Sequence, residues 1–187
     1  MTAADLRRWL REKPLVQHAS GARILFGPQR AQDCKDLEPG LAEALVRCLA
    51  EGTDYVVLDL PAYPSPASLA ALARCHRLAL VVEHEPTCVE TGRAMLELLA
   101  SLGGGMNVVG AVVVNRAPMA MPMPLKDLHT RLGCPVLGVI PPAPDVCCMA
   151  LKQGSPVVLS EPTHAVAMAL NELAGRISSD RVMAMAF

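Results

Sequence analysis

Aromatic and charged residues are scarce in this sequence. Of its 187 residues 3% are aromatic and 19% are charged, and 17 Lys and Arg nearly balance 18 Asp and Glu. Proteins that bind nucleic acid through their own surface typically present a positive field and aromatic side chains on which bases stack. The composition therefore predicts that the protein does not bind nucleic acid directly.

Long apolar runs are absent as well. The longest run, residues 108–114, is about a third of the roughly 20 residues that a membrane-spanning helix needs. The segment MTAADLRRWLREKP carries charges where a secretory signal has its apolar stretch. We therefore expect a cytoplasmic protein without membrane association. In that reducing compartment the seven cysteines are expected to be free thiols, mostly small buried groups, rather than disulfides.

Aliphatic residues, in contrast, are abundant, and 52% of the chain is hydrophobic. Short β-branched runs alternate with Ala/Leu segments of helical period, which predicts an α/β fold with a mostly parallel sheet and helices on both faces. We expect strands over residues 55–60, 78–82, 108–114 and 135–140, and a short extended segment over 156–159. Helices are expected over residues 37–51, 66–74, 87–102, 125–132, 145–153 and 163–177.

Three segments lie outside this regular pattern. Residues 1–20 are predicted to form a helical extension, which is either a docking element or an ordinary packed helix. The Pro/Met stretch over residues 117–124 is either a surface loop or a partner-binding loop, since Met adapts to varied surfaces. Residues 179–187 are expected to be a flexible tail. Residues 21–178 are therefore predicted to form one α/β domain.

Polar and proline residues follow each predicted strand. In open α/β sheets, ligands bind beyond the carboxyl ends of the strands, so we expect functional residues at this rim. The candidates, in chain order, are Asp59; Glu83, His84 and Glu85; Asn115 and Arg116; and Pro141, Pro142 and Asp145.

Each of these positions also has a simpler interpretation. In this interpretation Asp59 is simply the N-cap of the next helix, and Asn115 is simply a turn residue. His84 between its two glutamates is either an acid–base group or part of a solvated cluster at a strand end.

Four motifs follow one another along the chain in a recognisable order: YVVLDLP over residues 55–61, VGAVVVNR over 109–116, LGCPVLGVIP over 132–141 and QGSPVV over 153–158. They resemble, respectively, the aspartate strand, the adenine-reading strand, the next strand with its proline loop, and the G-x-P-V segment of MinD/ParA-type ATPases. These ATPases are the deviant Walker-A branch of P-loop NTPases. The resemblance covers residues 21–177, and the arrangement of residues 23–61 is most similar to the CpaE/TadZ-like group of pilus-assembly and polar-localisation proteins.

The resemblance implies roles for individual residues. Asp59 would hold Mg²⁺, directly or through water, and orient the attacking water. Asn115, followed by Arg116, would read the adenine edge, because its amide offers both a donor and an acceptor. The loop of Pro141 and Pro142, with Asp145 after it, would wall the base. The implied ligands are ATP and Mg²⁺.

The phosphate-binding loop of this family is missing from the chain. Phosphates are held by a Gly-rich loop with a Lys at a helix N-terminus, and the sequence contains neither G-x-x-x-x-G-K-[ST] nor K-G-G-x-G-K-[ST]. The run Gly103-Gly104-Gly105 has no Lys after it and is expected to end a helix. Ala62 stands where the family commonly has a Gly near the γ-phosphate. We therefore expect no cofactor and no ATP hydrolysis for this chain alone.

The missing loop also leaves a gap in the predicted sheet. In the family, the strand that carries the loop lies between the strands matched here by residues 55–60 and 78–82. A gap within a sheet would leave backbone groups unpaired. Either those two strands pair directly, or the N-terminal segment or a partner chain fills the gap, or the chain is a fragment of a longer protein.

The cysteine and histidine pairs and the C-terminal tail give little indication of a further functional site. Cys75 and His76 are separated by a strand from His84 and Cys88, which places the two pairs roughly 25 Å apart, too far for a shared zinc ion. The adjacent cysteines at 147 and 148 diverge on a helix, so they are either unligated thiols or ligands of a cluster shared by two chains. The tail over residues 181–187 resembles the membrane-targeting helix of some MinD-type proteins, but it is too short and has too few cations for firm binding.

Three functions remain open from the sequence. The first is a MinD/ParA-like domain without a P-loop that acts as a scaffold or positioning module through protein partners, as a homodimer or with a partner chain at the strand-end rim. The second is the carboxyl-side portion of an ATP-binding MinD/ParA/CpaE-like ATPase in pilus assembly, cell-pole positioning or partitioning. The third is an unrelated small-molecule enzyme on a similar sheet.

Overall fold

The computed structural model of the chain describes residues 3–12, 15–30, 32, 37–101, 108–116 and 123–178. It divides the chain into two compact units, Met1–Cys75 and His76–Phe187. The boundary between the units falls inside residues 21–178, for which the sequence predicts one domain. The predicted helix stop at residues 103–105, residues 117–122 of the Pro/Met stretch and the tail over residues 179–187 lie outside the described residues.

The first unit is mainly helical. It contains α1 (Ala3–Glu12), β1 (Val16–Gln17), β2 (Arg23–Ile24), α2 (Pro39–Ala50) and α3 (Pro66–Leu72). The two short strands pair antiparallel, so the predicted N-terminal extension is a helix followed by the first strand of a small hairpin. Helices α2 and α3 pack against each other, and they bury Val46 and Leu72.

The start of α3 follows from its sequence. The backbone N–H of Ser68 donates to Ser65 Oγ at 3.1 Å, and the backbone N–H of Ser65 donates to Ser68 Oγ at 2.7 Å. This reciprocal pair is a capping box, and Pro66 occupies the first helical position, where its missing N–H costs nothing. The predicted helix and its N-cap are confirmed.

The strand predicted over residues 55–60 is not formed. The side chains alternate in exposure: Tyr55 is 72% and Val57 is 91% exposed, whereas Val56 and Leu58 are half-buried. None of the described strands pairs with this run. The prediction of a buried strand is wrong here because an apolar pattern confers only a tendency to pair, and a strand also needs a partner.

The second unit is an α/β structure built on three parallel strands. Its elements are β3 (Leu78–Glu83), α4 (Pro86–Ser101), β4 (Val108–Val114), α5 (Leu125–Leu132), β5 (Val136–Ile140), α6 (Pro144–Lys152), α7 (Val157–Ser160) and α8 (Ala165–Ser178). The strand order is β3-β4-β5, and both pairings are parallel. The predicted α/β class with a parallel sheet is confirmed.

Helices cover the two faces of this sheet. On one face Val89 of α4 and Leu128 and Leu132 of α5 join Val113 of β4 in the larger core cluster. On the other face Leu173 of α8 packs on Val112 and Leu137. Full burial of an aliphatic side chain of this size stabilises the fold by about 1.5–3 kcal/mol, so the larger cluster anchors the sheet.

Glycine is required where these layers approach most closely. Gly110 in β4 has a φ of +146°, and a Cβ there would lie 2.5 Å from the carbonyl oxygen of Pro135. A Cβ on Gly138 in β5 would lie 2.9 Å from Leu173 Cδ2. Gly110 is therefore required, because an added Cβ would meet backbone at a positive φ, whereas a larger residue at 138 would displace the end of the Leu173 side chain.

One further prediction is corrected by the second unit. Residues 156–159 were expected to be extended, because Val157 and Val158 are β-branched, yet Val157–Ser160 forms the short helix α7. The carbonyl oxygen of Pro156 accepts hydrogen bonds from the N–H groups of Leu159 and Ser160 at 2.9 and 3.1 Å. The local turn at Pro156 outweighs the β-branched preference.

Within the described part of the chain, no helix is long and apolar enough to span a lipid bilayer.

Candidate functional site

The carboxyl ends of the three parallel strands form one rim of the second unit. The backbone N–H of His84 donates to the Val114 carbonyl at 2.9 Å, and that of Asn115 donates to the Ile140 carbonyl at 3.0 Å. These bonds continue the sheet to its edge. They place the ends of β3, β4 and β5 side by side, as the sequence predicts for residues 83–85, Asn115 and Arg116, and Pro141 and Pro142.

An ion pair joins the ends of β3 and β4. Arg116 Nη2 lies 3.1 Å from Glu83 Oε1, with side chains 75% and 44% exposed. Arg116 is a predicted ligand-binding residue, and its charge is already balanced by a carboxylate of the neighbouring strand. Sequence reasoning missed this pair, although opposite charges at the ends of two adjacent predicted strands were a usable signal.

His84 is a buried residue and not part of a solvated cluster. It is 5% exposed, and its Nε2 lies 2.7 Å from the carbonyl oxygen of Met123. A carbonyl oxygen only accepts, so Nε2 donates the proton of this hydrogen bond. Nδ1 has no partner among the described residues. His84 therefore fastens the segment before α5 to the end of β3, and the expectation of a solvated cluster is corrected.

Glu85 occupies the N-terminus of α4. Its carboxylate accepts hydrogen bonds from the hydroxyl of Thr87 and from the backbone N–H groups of Thr87 and Cys88, the latter two at 3.0 and 3.2 Å. The Thr87 hydroxyl, followed by the N–H groups of Cys88 and Thr87, lowers the pKa of Glu85. An anion at this helix end would have to displace this carboxylate.

The loop after β5 leads directly into α6. Pro141 and Pro142 are half-buried, and Asp145 is exposed in the first turn of α6. Asp145 lines a shallow cavity of about 200 Å³ between α6 and α7, and Glu161 lines it as well. Two carboxylates on one cavity disfavour an anionic ligand there.

Asp59 belongs to the first unit and is exposed. The structure does not hold it at the end of a strand, because residues 55–60 form none. Among the described residues no group of three or more His, Cys, Asp or Glu could hold a metal ion. The role of Asp59 as a Mg²⁺ ligand therefore stays a prediction.

The described cysteines are free thiols. Cys134 is buried, Cys48, Cys75 and Cys88 are half-buried, and both cysteines of the adjacent pair in α6 are exposed. Burial raises the pKa of the Cys134 and Cys75 thiols, so both favour the unreactive protonated form. Burial was expected for most of these residues, and the exposed pair in α6 departs from it.

The chain is similar in sequence to known proteins. No protein-family model matches the chain. The chain is 25% identical over 174 residues to an uncharacterized ATP-binding protein of Methanocaldococcus jannaschii, with 93% of this chain and 63% of the relative covered. It is 20% identical over 174 residues to the septum site-determining protein MinD of Synechocystis, with 91% of this chain and 65% of the relative covered.

Solved structures share the fold. A ParA family ATPase from Chlorobium tepidum superposes with a TM-score of 0.81 at 15% identity, over 95% of this chain and 72% of its own. MinD in the MinC:MinD cell division complex of Aquifex aeolicus gives a TM-score of 0.67 at 19% identity, over 94% and 71%. The chain spans less than two thirds of the length of the curated relatives. The curated relatives support a MinD/ParA-type P-loop NTPase family for this chain, and the solved structures show that it shares the MinD/ParA fold.

Proposed function

We propose that this chain acts as a MinD/ParA-like domain without its own phosphate loop, a non-hydrolytic scaffold or positioning module in the cytoplasm. Its partners are proteins, which contact it at the strand-end rim. The relative from Aquifex aeolicus, whose structure is a complex of MinC with MinD, supports a function through protein contacts.

The ion pair of Arg116 with Glu83, at 3.1 Å, carries this proposal. A triphosphate needs cations and N–H donors to balance its charge. At this rim the cation next to Asn115 is already balanced by a carboxylate, and the Glu85 carboxylate takes the N–H groups at the start of α4. Such a rim favours a polar protein surface over a free nucleotide.

Calorimetric titration of the purified chain with Mg²⁺–ATP tests the proposal. We expect no binding in the micromolar range, and any weak signal should be the same in wild type and in Asn115→Ala. Glu83→Gln is the matched variant, because it removes the carboxylate that balances Arg116 and leaves Asn115 in place. Micromolar affinity in the wild type that disappears in Asn115→Ala would overturn the scaffold proposal.

A second function has specific support from the comparisons. The chain covers 63% of a relative that is named as an ATP-binding protein, so we also propose that it can form the carboxyl-side portion of such an ATPase. The process would be pilus assembly, cell-pole positioning or partitioning. Asp59 would then assist Mg²⁺ and the attacking water, and Asn115 would read adenine.

The complete reading frame decides between these two functions. A strand and helix joined by a G-K-[ST] loop directly upstream, in frame, would support the ATPase. The longer protein should then hydrolyse ATP, and Asp59→Asn should lower kcat while Asp54→Asn, a nearby exposed aspartate, should not. An upstream frame without that motif would contradict the ATPase.

A further inference from the structure

The shallow cavity between α6 and the end of α7, called here the α6–α7 cleft, has an apolar lining. Ala150 is buried, Val146 is half-buried and Met149 is 53% exposed. The volume of the cleft is about 200 Å³, whereas pockets that enclose a whole small molecule usually measure roughly 300–1,000 Å³. The cleft therefore suits a single side chain of a partner better than a free ligand.

Two exposed carboxylates line the same cleft. Asp145 lies in the first turn of α6, and Glu161 is the residue at which α7 ends. Neither side chain takes part in any of the described hydrogen bonds or ion pairs. Other glutamates of the unit, such as Glu83 and Glu172, are paired with arginines. The negative charge of the cleft is thus not neutralised by the described part of the chain.

The cations nearest in sequence do not supply the missing counter-charge. Lys152 belongs to α6 but does not line the cleft, since each helical residue is rotated by about 100° from the one before it. His164 is half-buried, and its Nδ1 accepts a hydrogen bond from the backbone N–H of Val166 at 3.3 Å. A partner that carries its own cations would complete the charge balance of the cleft.

We propose that the α6–α7 cleft binds a basic amphipathic helix of a partner protein. One large apolar side chain of that helix enters the cleft and packs against Val146 and Met149, whose flexible thioether adapts to different side chains. Lysines or arginines one helical turn to either side pair with Asp145 and Glu161. This inference deepens the proposed function and rests on it, because Asp145 follows β5 at the strand-end rim where protein partners are proposed to bind.

The chemistry of the cleft disfavours other occupants. A phosphate or an acidic peptide would meet two charges of its own sign. An uncharged apolar helix would take water from both carboxylates and give them no partner in return. Among the described residues no group of three or more His, Cys, Asp or Glu could hold a metal ion. A segment that is both apolar and cationic fits all of the lining.

Binding of model peptides to the full chain tests the proposal by fluorescence anisotropy. The probe is a labelled helical peptide of Ala, Leu and Lys, with a leucine stripe flanked by lysines. One control peptide has Glu in place of every Lys, and the other has Ser in place of every Leu. We expect micromolar binding of the probe and at least tenfold weaker binding of both controls. No detectable binding of the probe, or equal binding of the Lys/Ser peptide, overturns the proposal.

Charge reversal at the cleft locates the binding site. Asp145→Lys combined with Glu161→Lys should weaken binding of the probe at least tenfold. The matched control combines Asp54→Lys with Glu38→Lys, which changes the net charge equally at two exposed carboxylates that do not line the cleft. This control should leave the affinity unchanged. Equal weakening by both double variants would mean that only net charge matters and would overturn the assignment to the cleft.

Met149→Ser tests the apolar lining while the charges stay in place. We expect a severalfold loss of affinity, and no loss in Leu151→Ser, since Leu151 is 81% exposed on the same helix and does not line the cleft. Both positions are exposed, so both variants should fold, which circular dichroism checks. An unchanged affinity in Met149→Ser overturns the proposal.

The outcome for the cleft is distinguishable from that for the scaffold. The peptide assay contains no nucleotide, so its failure overturns the cleft alone. Micromolar binding of Mg²⁺–ATP that disappears in Asn115→Ala overturns the scaffold.

Discussion

Two apolar runs of similar composition adopt different structures in this chain. Val108–Val114 forms the central strand β4, in which Val113 is 0% exposed, whereas residues 55–60 form no strand and Val57 is 91% exposed. Strand β4 has a paired strand on each side and helices over both faces. The difference shows that β-branched residues only favour strand formation. Whether the run is paired and buried depends on the elements that surround it.

Hydrogen exchange should give the largest contrast between the two runs. Amides of a paired central strand open only in nearly global unfolding, so we expect those of residues 111–113 to exchange more than about a thousandfold more slowly than those of residues 55–58. The measurement is amide exchange by NMR or mass spectrometry at neutral pH. Equal protection in the two runs would show that residues 55–60 are paired in solution and would remove the contrast.

Truncation of one valine in each run should change the free energy of unfolding by different amounts. Val113→Ala removes two buried methyl groups and leaves a cavity, so we expect a loss of about 2 kcal/mol in the free energy of unfolding. Val57→Ala removes an exposed group and should change that free energy by less than about 0.5 kcal/mol. Urea unfolding followed by circular dichroism compares them, and a Val57→Ala loss as large as that of Val113→Ala would show that the Val57 side chain is buried in solution.

The helix that follows the unpaired run tests whether local signals act without a neighbouring strand. Ser65→Ala removes the side-chain half of the α3 capping box, and we expect a loss of about 1 kcal/mol. Thermal unfolding is the measurement, with Ser155→Ala as the control, because Ser155 caps no helix through its side chain among the described bonds. An unchanged midpoint in Ser65→Ala would mean that α3 depends on packing and not on its cap.

The smallest effect concerns the end of β3, where Glu85 caps α4. Its pKa is lowered by the hydrogen bonds from Thr87 and Cys88, so the charged form stabilises the fold. This contribution is present above the ordinary glutamate pKa of about 4.3 and is lost as the pH falls through the lower pKa of the folded state.

The pH dependence of Glu85→Gln checks this contribution. We expect Glu85→Gln to be less stable than wild type at pH 7 and the difference to shrink as the solution is acidified. Glu161→Gln, at an exposed glutamate of the same unit, is the control. A deficit in Glu85→Gln that stays constant from neutral to acidic pH would contradict the role of the carboxylate.

The order and ends of most helices could be predicted from the sequence, because their signals are local. Ser65 with Ser68, and Gly133 with its φ of +71° at the end of α5, specify helix ends through nearby backbone groups alone. The polar rim of the second unit could also be predicted, because parallel strands align their carboxyl ends. Neither the ion pair of Arg116 with Glu83 nor the burial of His84 could be predicted, since both depend on which side chains meet across strands.

The sequence by itself determined the α/β class, the three parallel strands of the second unit and the absence of a G-K-[ST] loop, because periodicity and motif spacing are properties of the chain. Only the tertiary structure decided that none of the described strands pairs with residues 55–60 and that Arg176 of α8 binds the carbonyl oxygen of Leu137 in β5. A strand forms through hydrogen bonds to a neighbouring strand, and the residues of one strand do not specify which strand that neighbour is.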